Sequence, residues 1–134
     1  MLRLAIGLWL VVLLAPTSAH AKYPWEKEPG PIAGSWRVTC PERQGMVIRF
    51  SLDGTTKATG KIAELGSASK YGYRQGEEIL RLTADDFGKW VGQLKWRNLQ
   101  GTERWDPITF VATAGELDAS MTTDGCYKKM PRAR

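Results

Sequence analysis

The chain has 134 residues, of which 25% are charged, and a formal net charge of +5. That length fits one domain, and the scattered basic residues lack the stripe or run that a nucleic-acid binder carries. The only histidine is His20. Its place in the N-terminal segment denies any later domain the usual general base, the commonest metal ligand and every Ser-His-Asp or Cys-His arrangement.

Arg3 gives a short positive start, and Leu4 to Ala15 follows without a polar residue. Pro16 ends the run, and Ala19-His20-Ala21 places small residues where signal peptidase reads. Residues 1–21 are therefore expected to be a secretory signal peptide, cleaved after Ala21. The apolar run is shorter than the roughly 20 residues a spanning helix needs, so no membrane span is expected. Export to the periplasm or the medium puts Cys40 and Cys126 in an oxidising compartment, where two cysteines read as a disulfide. Such a bridge would close a loop over most of the mature chain and contribute roughly 4 kcal/mol.

Residues 22–33 contain Pro24, Pro29, Pro31 and Gly30. They read as an extended arm, since three prolines forbid a helix. The folded domain is expected over 34–134. Gly34 to Cys40 is its first strand. In the second, Met46, Ile48, Phe50 and Leu52 share one face by the period of two. Asp53-Gly54 signals a hairpin, and the return strand runs from about Thr55 to Leu65, with Gly60 as a bulge. A Gly/Ser loop leads to a short strand at Tyr71 to Arg74, and another strand covers Glu77 to Ala84. Lys89 to Arg97 alternates most cleanly, with Trp90, Gly92, Leu94 and Trp96 on one face. Thr102 to Trp105 is a short strand that Asp106-Pro107 ends, and Ile108, Phe110 and Ala112 begin a new face. Leu117, Ala119 and Met121 share the next, and Cys126 to Met130 is the last piece. No segment carries a sustained helical period with caps. The pattern predicts an all-β domain: a single antiparallel up-and-down barrel of about eight short strands, closed by one disulfide. A sandwich is the other architecture the spacing permits, and the two cysteines favour the barrel by joining its first and last strands.

Gly34-Ser35-Trp36 resembles the Gly-x-Trp signature of the lipocalin and wider calycin barrels. Gly60-Lys61-Ile62, Gly76-Glu77-Glu78-Ile79-Leu80, Trp90-Val91-Gly92 and the late strand Leu117 to Thr122 resemble small exported lipocalin-like domains. The resemblance implies that Trp36 packs at a barrel end beneath a basic side chain from a late strand, a part open to Lys128 or Lys129. Secreted metalloprotease inhibitors also pair a small one-disulfide barrel with a free N-terminal arm, a layout that residues 22–31 are similar to.

Candidate chemistry is sparse. Asp85-Asp86 and Glu77-Glu78 read as turn and surface residues, since neighbours on a strand point apart and Asp is common in turns. Ser67 and Lys70 have Ser-x-x-Lys spacing, but in a loop rather than on one helix face. No Gly-x-Ser-x-Gly elbow, phosphate loop or metal-ligand spacing occurs. Trp25, Trp36, Trp90, Trp96 and Trp105 read first as packing, given the area each buries. The expected function is an exported, non-catalytic, lipocalin-like binding protein for a small apolar or amphipathic ligand. Trp36, Trp90, Leu94 and Trp96 are its candidate ligand-facing residues. The alternative is a protease inhibitor or envelope interaction module that uses the arm and a barrel rim, with a protein as partner. No catalytic residue, cofactor or metal is expected.

Overall fold

The computed structural model describes residues 31–123 and 125–133. The expected signal peptide, and the arm as far as Gly30, lie outside the described residues. Eight antiparallel strands follow in chain order around one sheet. They are β1 (Gly34–Arg37), β2 (Val47–Asp53), β3 (Lys57–Glu64), β4 (Glu78–Ala84), β5 (Trp90–Arg97), β6 (Glu103–Ala112), β7 (Glu116–Asp118) and β8 (Lys129–Pro131). A bridge between Trp36 and Arg132 brings the last strand back to the first. The result is the expected up-and-down barrel, nearly closed, with a Cys40–Cys126 disulfide at a Cα separation of 5.0 Å. Among the described residues, no helix is long and apolar enough to cross a membrane.

The alternation along the strands fills the barrel. Ile48 and Phe50 of β2, Ile62 of β3, Leu80 of β4, Ile108 and Phe110 of β6 and Leu117 of β7 are all buried. Phe50 and Phe110 meet edge to face across the interior, with ring centroids 6.4 Å apart. The register shifts between Gly60 and Lys61, so the bulge expected at Gly60 is present.

Up-and-down order gives the barrel two unlike rims. At one, strands turn tightly, through residues 54–56, 85–89 and 113–115. At the other lie the 3-10 turns Pro41–Arg43 and Gly66–Tyr71, the turn at 98–102, the crossing at 119–128 and the disulfide. These are called the short-turn rim and the long-loop rim below.

Four expectations need correction. Tyr71 to Arg74 is not a strand: Tyr71 ends the 3-10 turn, and Gly72 caps it in the left-handed region at φ 82°, which breaks extension. The two strands placed around Asp106-Pro107 are one, β6. Apart from Val111 and Ala112 it has no strand partner on its outer side among the described residues, and Thr109, two residues past Pro107, turns its N–H to Thr122 Oγ1 instead. By the two-residue period the proline's missing N–H falls on that same unpaired edge, where Pro is tolerated. Leu52 and Met121 do not join the core; Leu52 stands 44% exposed at the end of β2, and Met121, 67% exposed, lies in a turn past the end of β7. Finally, neither Lys128 nor Lys129 covers Trp36. Arg132 does, with its guanidinium carbon 3.9 Å from the ring centre, because β8 brings residue 132 opposite Trp36.

That last contact explains Gly34-Ser35-Trp36. Trp36 is fully buried, and its Nε1 donates to the Ile32 carbonyl at 2.8 Å. Arg132 lies across it and donates to the carbonyls of Ala33 at 2.7 Å and Pro31 at 2.9 Å. Gly34 has φ 113°, and a Cβ there would stand 2.6 Å from Arg132 Nη1. Glycine supplies both the backbone angle and the room.

Candidate functional site

The long-loop rim holds the least ordinary group in the molecule. Arg43, at the end of the first 3-10 turn, is only 1% exposed. Buried charges are normally paired with a counter-charge. No carboxylate among the described residues pairs with Arg43. Its guanidinium carbon stands instead 4.2 Å from the ring centre of Trp96 and 4.6 Å from that of Tyr71. Tyr73 and Tyr127 follow at 5.7 and 5.8 Å. All four lie within the roughly 6 Å reach of a cation–π contact. Each comes from a different place: the second 3-10 turn, the loop after it, the end of β5, and the segment before β8. The disulfide holds that last segment against the first 3-10 turn, and Arg43 Nη1 lies 3.9 Å from Cys126 Sγ.

Burial sets the proton chemistry here. It pushes the Tyr127 hydroxyl well above the usual phenol range, against the opposing pull of the Arg43 charge. The guanidinium itself stays protonated. Its Nε and Nη2 are buried and no group among the described residues meets them in good hydrogen-bond geometry. Burial opposes the charge, but the Tyr127 and Tyr73 hydroxyls stand near enough to favour it, and the net direction of the guanidinium pKa is upward.

Beside this cage runs an open cleft of about 490 Å³, lined by Tyr71, Gly72, Arg74, Glu77, Lys95 and Arg97, with Gly101 at its end. Glu77 is its electrostatic centre. It pairs with Lys95 Nζ at 3.5 Å and Arg97 Nη2 at 3.1 Å, and accepts the Arg74 backbone N–H at 3.2 Å. Arg97 also donates to the Gly72 carbonyl at 2.7 Å and bonds Glu103. The bond to Arg97 holds the Glu103 carboxyl below its usual range. For Arg97, burial opposes the charge, but the bonds to Glu103 and Glu77 outweigh it and the net direction is upward. Tyr73 fastens the floor: its hydroxyl accepts from the Arg97 N–H at 2.9 Å and donates to the Lys95 carbonyl at 3.3 Å. Cations thus outnumber carboxylates in the lining. Leu99, in the turn that ends at Gly101, is 64% exposed, and Met121 is exposed on the same rim.

The four residues expected to face a ligand are spread along the barrel. Trp36 is buried near the short-turn rim beneath Arg132, and Trp90 packs half-buried at that end of β5. Leu94 is buried opposite Leu80. Trp96 forms a wall of the Arg43 cage. None of the four lines the cleft. Cys40, Cys126 and the Glu42 carboxylate come within 4.8 Å of one another. Both sulfurs are tied up in the disulfide, and the Arg43 charge beside them repels a cation. Asp85 is a turn residue as expected, accepting the N–H groups of Phe87 and Lys89 at 2.9 and 2.8 Å. Ser67 bonds the Glu42 carbonyl at 3.1 Å, a role within the loop.

The sequence reading missed Arg43, Tyr71, Tyr73 and Tyr127. Only the topology brings them together: each lies at a strand end or loop on the long-loop side of the meander. Compared with known proteins, the chain matches no family model, no curated protein and no solved structure.

Proposed function

We propose that this chain is an exported, non-catalytic binding protein that takes a small amphipathic ligand at the long-loop rim, beside Arg43, rather than in an apolar cup. One observation carries the reading: the cleft that ends on Tyr71 offers Arg74, Lys95 and Arg97 to a polar group next to exposed Leu99. Its volume of about 490 Å³ falls within the usual range of ligand sites, ~300–1,000 Å³. The barrel axis supports the same choice, because Ile48, Phe50, Leu80, Ile108 and Phe110 already occupy it. Export agrees with the disulfide. Small-molecule titrations followed by amide chemical shifts test the site. Ligands should shift residues 71–77, 95–97 and 99–101. Shifts confined to the short-turn rim would refute the assignment.

A second reading has one observation in its favour. Arg132 anchors the root of the N-terminal arm through the carbonyls of Pro31 and Ala33, so the arm starts from a fixed point opposite the cleft. An inhibitor or envelope module would use that arm on a protein partner. Deleting residues 22–30 should then abolish partner binding while the barrel stays folded. Undiminished binding would refute it.

A further inference from the structure

The two orphaned donors of Arg43 are not an arbitrary pair. Nε–H and the Nη2 amine lie on one edge of a guanidinium, parallel and coplanar. This side-on edge matches the two oxygens of a carboxylate. In Arg43 that edge is buried and empty of partners among the described residues, while the other terminal nitrogen faces Cys126 Sγ. Leaving two charged donors unsatisfied in an aromatic enclosure is costly. An apolar side chain of the same size would fill the space without that cost. The arrangement is one half of an ion pair.

We propose that the free edge of Arg43 is a receptor for a carboxylate, which enters from the cleft past Tyr71. The inference rests on the rim reading for its location and adds the chemical class of the ligand. Among the described residues, Tyr71 is the only side chain that both lines the cleft and stacks on Arg43. It is half-buried, at the end of a short 3-10 turn. A rotation of its ring would join the cleft to the cage. Lys95 and Arg97 draw an anion into the cleft, but Glu77 and Glu103 already occupy them. No carboxylate among the described residues holds Arg43; its polar neighbours are the neutral Tyr73 and Tyr127 hydroxyls. The aromatic walls favour a carboxylate carried on an apolar or aromatic body, so the ligand is an amphipathic acid. A free small acid and the C-terminal carboxylate of a peptide share this chemistry.

The test uses the mature protein with labelled arginine, following the Nε–H signal of Arg43 at constant ionic strength. The probes are formate, acetate, phenylacetate and a short peptide with its C-terminus free or amidated. The Arg43 signal should shift saturably with carboxylates and not with chloride, and phenylacetate should bind more tightly than acetate. If the free peptide binds better than phenylacetate and its amide does not bind, the source is a chain terminus; the reverse order identifies a small acid. Arg43→Lys keeps the charge but loses the fork, and should weaken binding about 10–100-fold. Tyr71→Ala removes the obstruction and should speed association. Because the wild-type signal reports directly, the result does not depend on either variant folding. An unmoved or non-saturating Arg43 signal, with the signals of Lys95 and Arg97 shifting, would overturn the carboxylate receptor and leave the rim reading standing. If neither moves, both fall.

Discussion

Each end of the barrel stacks an arginine on a tryptophan, and the two pairs are built to opposite rules. At the short-turn rim, Arg132 covers Trp36 at 3.9 Å and spends its donors on backbone. Ala33 and Pro31 accept from its terminal nitrogens, and Ala114 from Nε at 3.4 Å. At the long-loop rim, Arg43 covers Trp96 at 4.2 Å, and two of its three nitrogens have no partner among the described residues. The half-exposed arginine is fully satisfied and the buried one is not. A stability-driven design would have the reverse. Arg132 therefore reads as a clasp that joins the arm root, β1 and β8, and Arg43 as a group held in readiness.

Removing the tryptophans should give the largest contrast. Trp36→Ala empties a fully buried site and should cost about 3–5 kcal/mol in urea unfolding. Trp96, half-buried, should cost about 1–2 kcal/mol on the same scale. Equal losses would mean that the long-loop rim is as much a structural core as the other.

Breaking the disulfide comes next. Cys40→Ser with Cys126→Ser should cost roughly 2–5 kcal/mol. Since the bridge ties the segment carrying Tyr127 to the turn carrying Arg43, hydrogen exchange should rise first at residues 40–46 and 119–128. Trp36 and Arg132 should stay protected. A uniform rise over the barrel would erase the distinction between the rims.

Alkaline titration offers a smaller effect confined to one rim. The Tyr127 hydroxyl is raised by burial, so in the folded state it keeps its proton where the unfolded chain loses it. Its contribution to stability is full below the ordinary tyrosine pKa of ~10 and is lost as pH rises from there through the folded value. Absorbance of tyrosinate should show Tyr127 ionising late, close to unfolding, and Tyr127→Phe should remove that late step. If Tyr127 titrates near the ordinary value, the cage is open to water.

The strands, the short-turn rim and the disulfide were legible in the sequence, and little else of the long-loop rim. Met46, Ile48 and Phe50 declare their face by a period of two, Asp53-Gly54 declares its hairpin, and the cysteine pair declares its bridge. Trp36 is marked by Gly34, though its cover is Arg132 and not the expected Lys128 or Lys129. The register of β8 decides which basic side chain lands opposite, and composition does not encode register. Asp106-Pro107 reads as a strand end because sequence does not reveal that the part of β6 before Val111 has no strand partner on one side among the described residues. Arg43 was invisible for a deeper reason. Pro-Glu-Arg in a turn looks solvated, and nothing local shows that Tyr71, Tyr73, Trp96 and Tyr127 will close over it. That no carboxylate among the described residues meets this buried charge is written in the topology alone.

The most direct test sets the two arginines against each other by the same substitution. Urea unfolding of Arg132→Met should show a loss of about 2–4 kcal/mol, from charged hydrogen bonds worth up to ~1.5–3 kcal/mol each, reduced by the partial exposure of Arg132 and by the length of the Ala114 bond. Arg43→Met should change stability by less than about 1 kcal/mol, or raise it, because an apolar side chain relieves an unpaired buried charge. If Arg43→Met destabilises the barrel as much as Arg132→Met does, then Arg43 is a structural clasp like its counterpart and the division between the two rims is wrong.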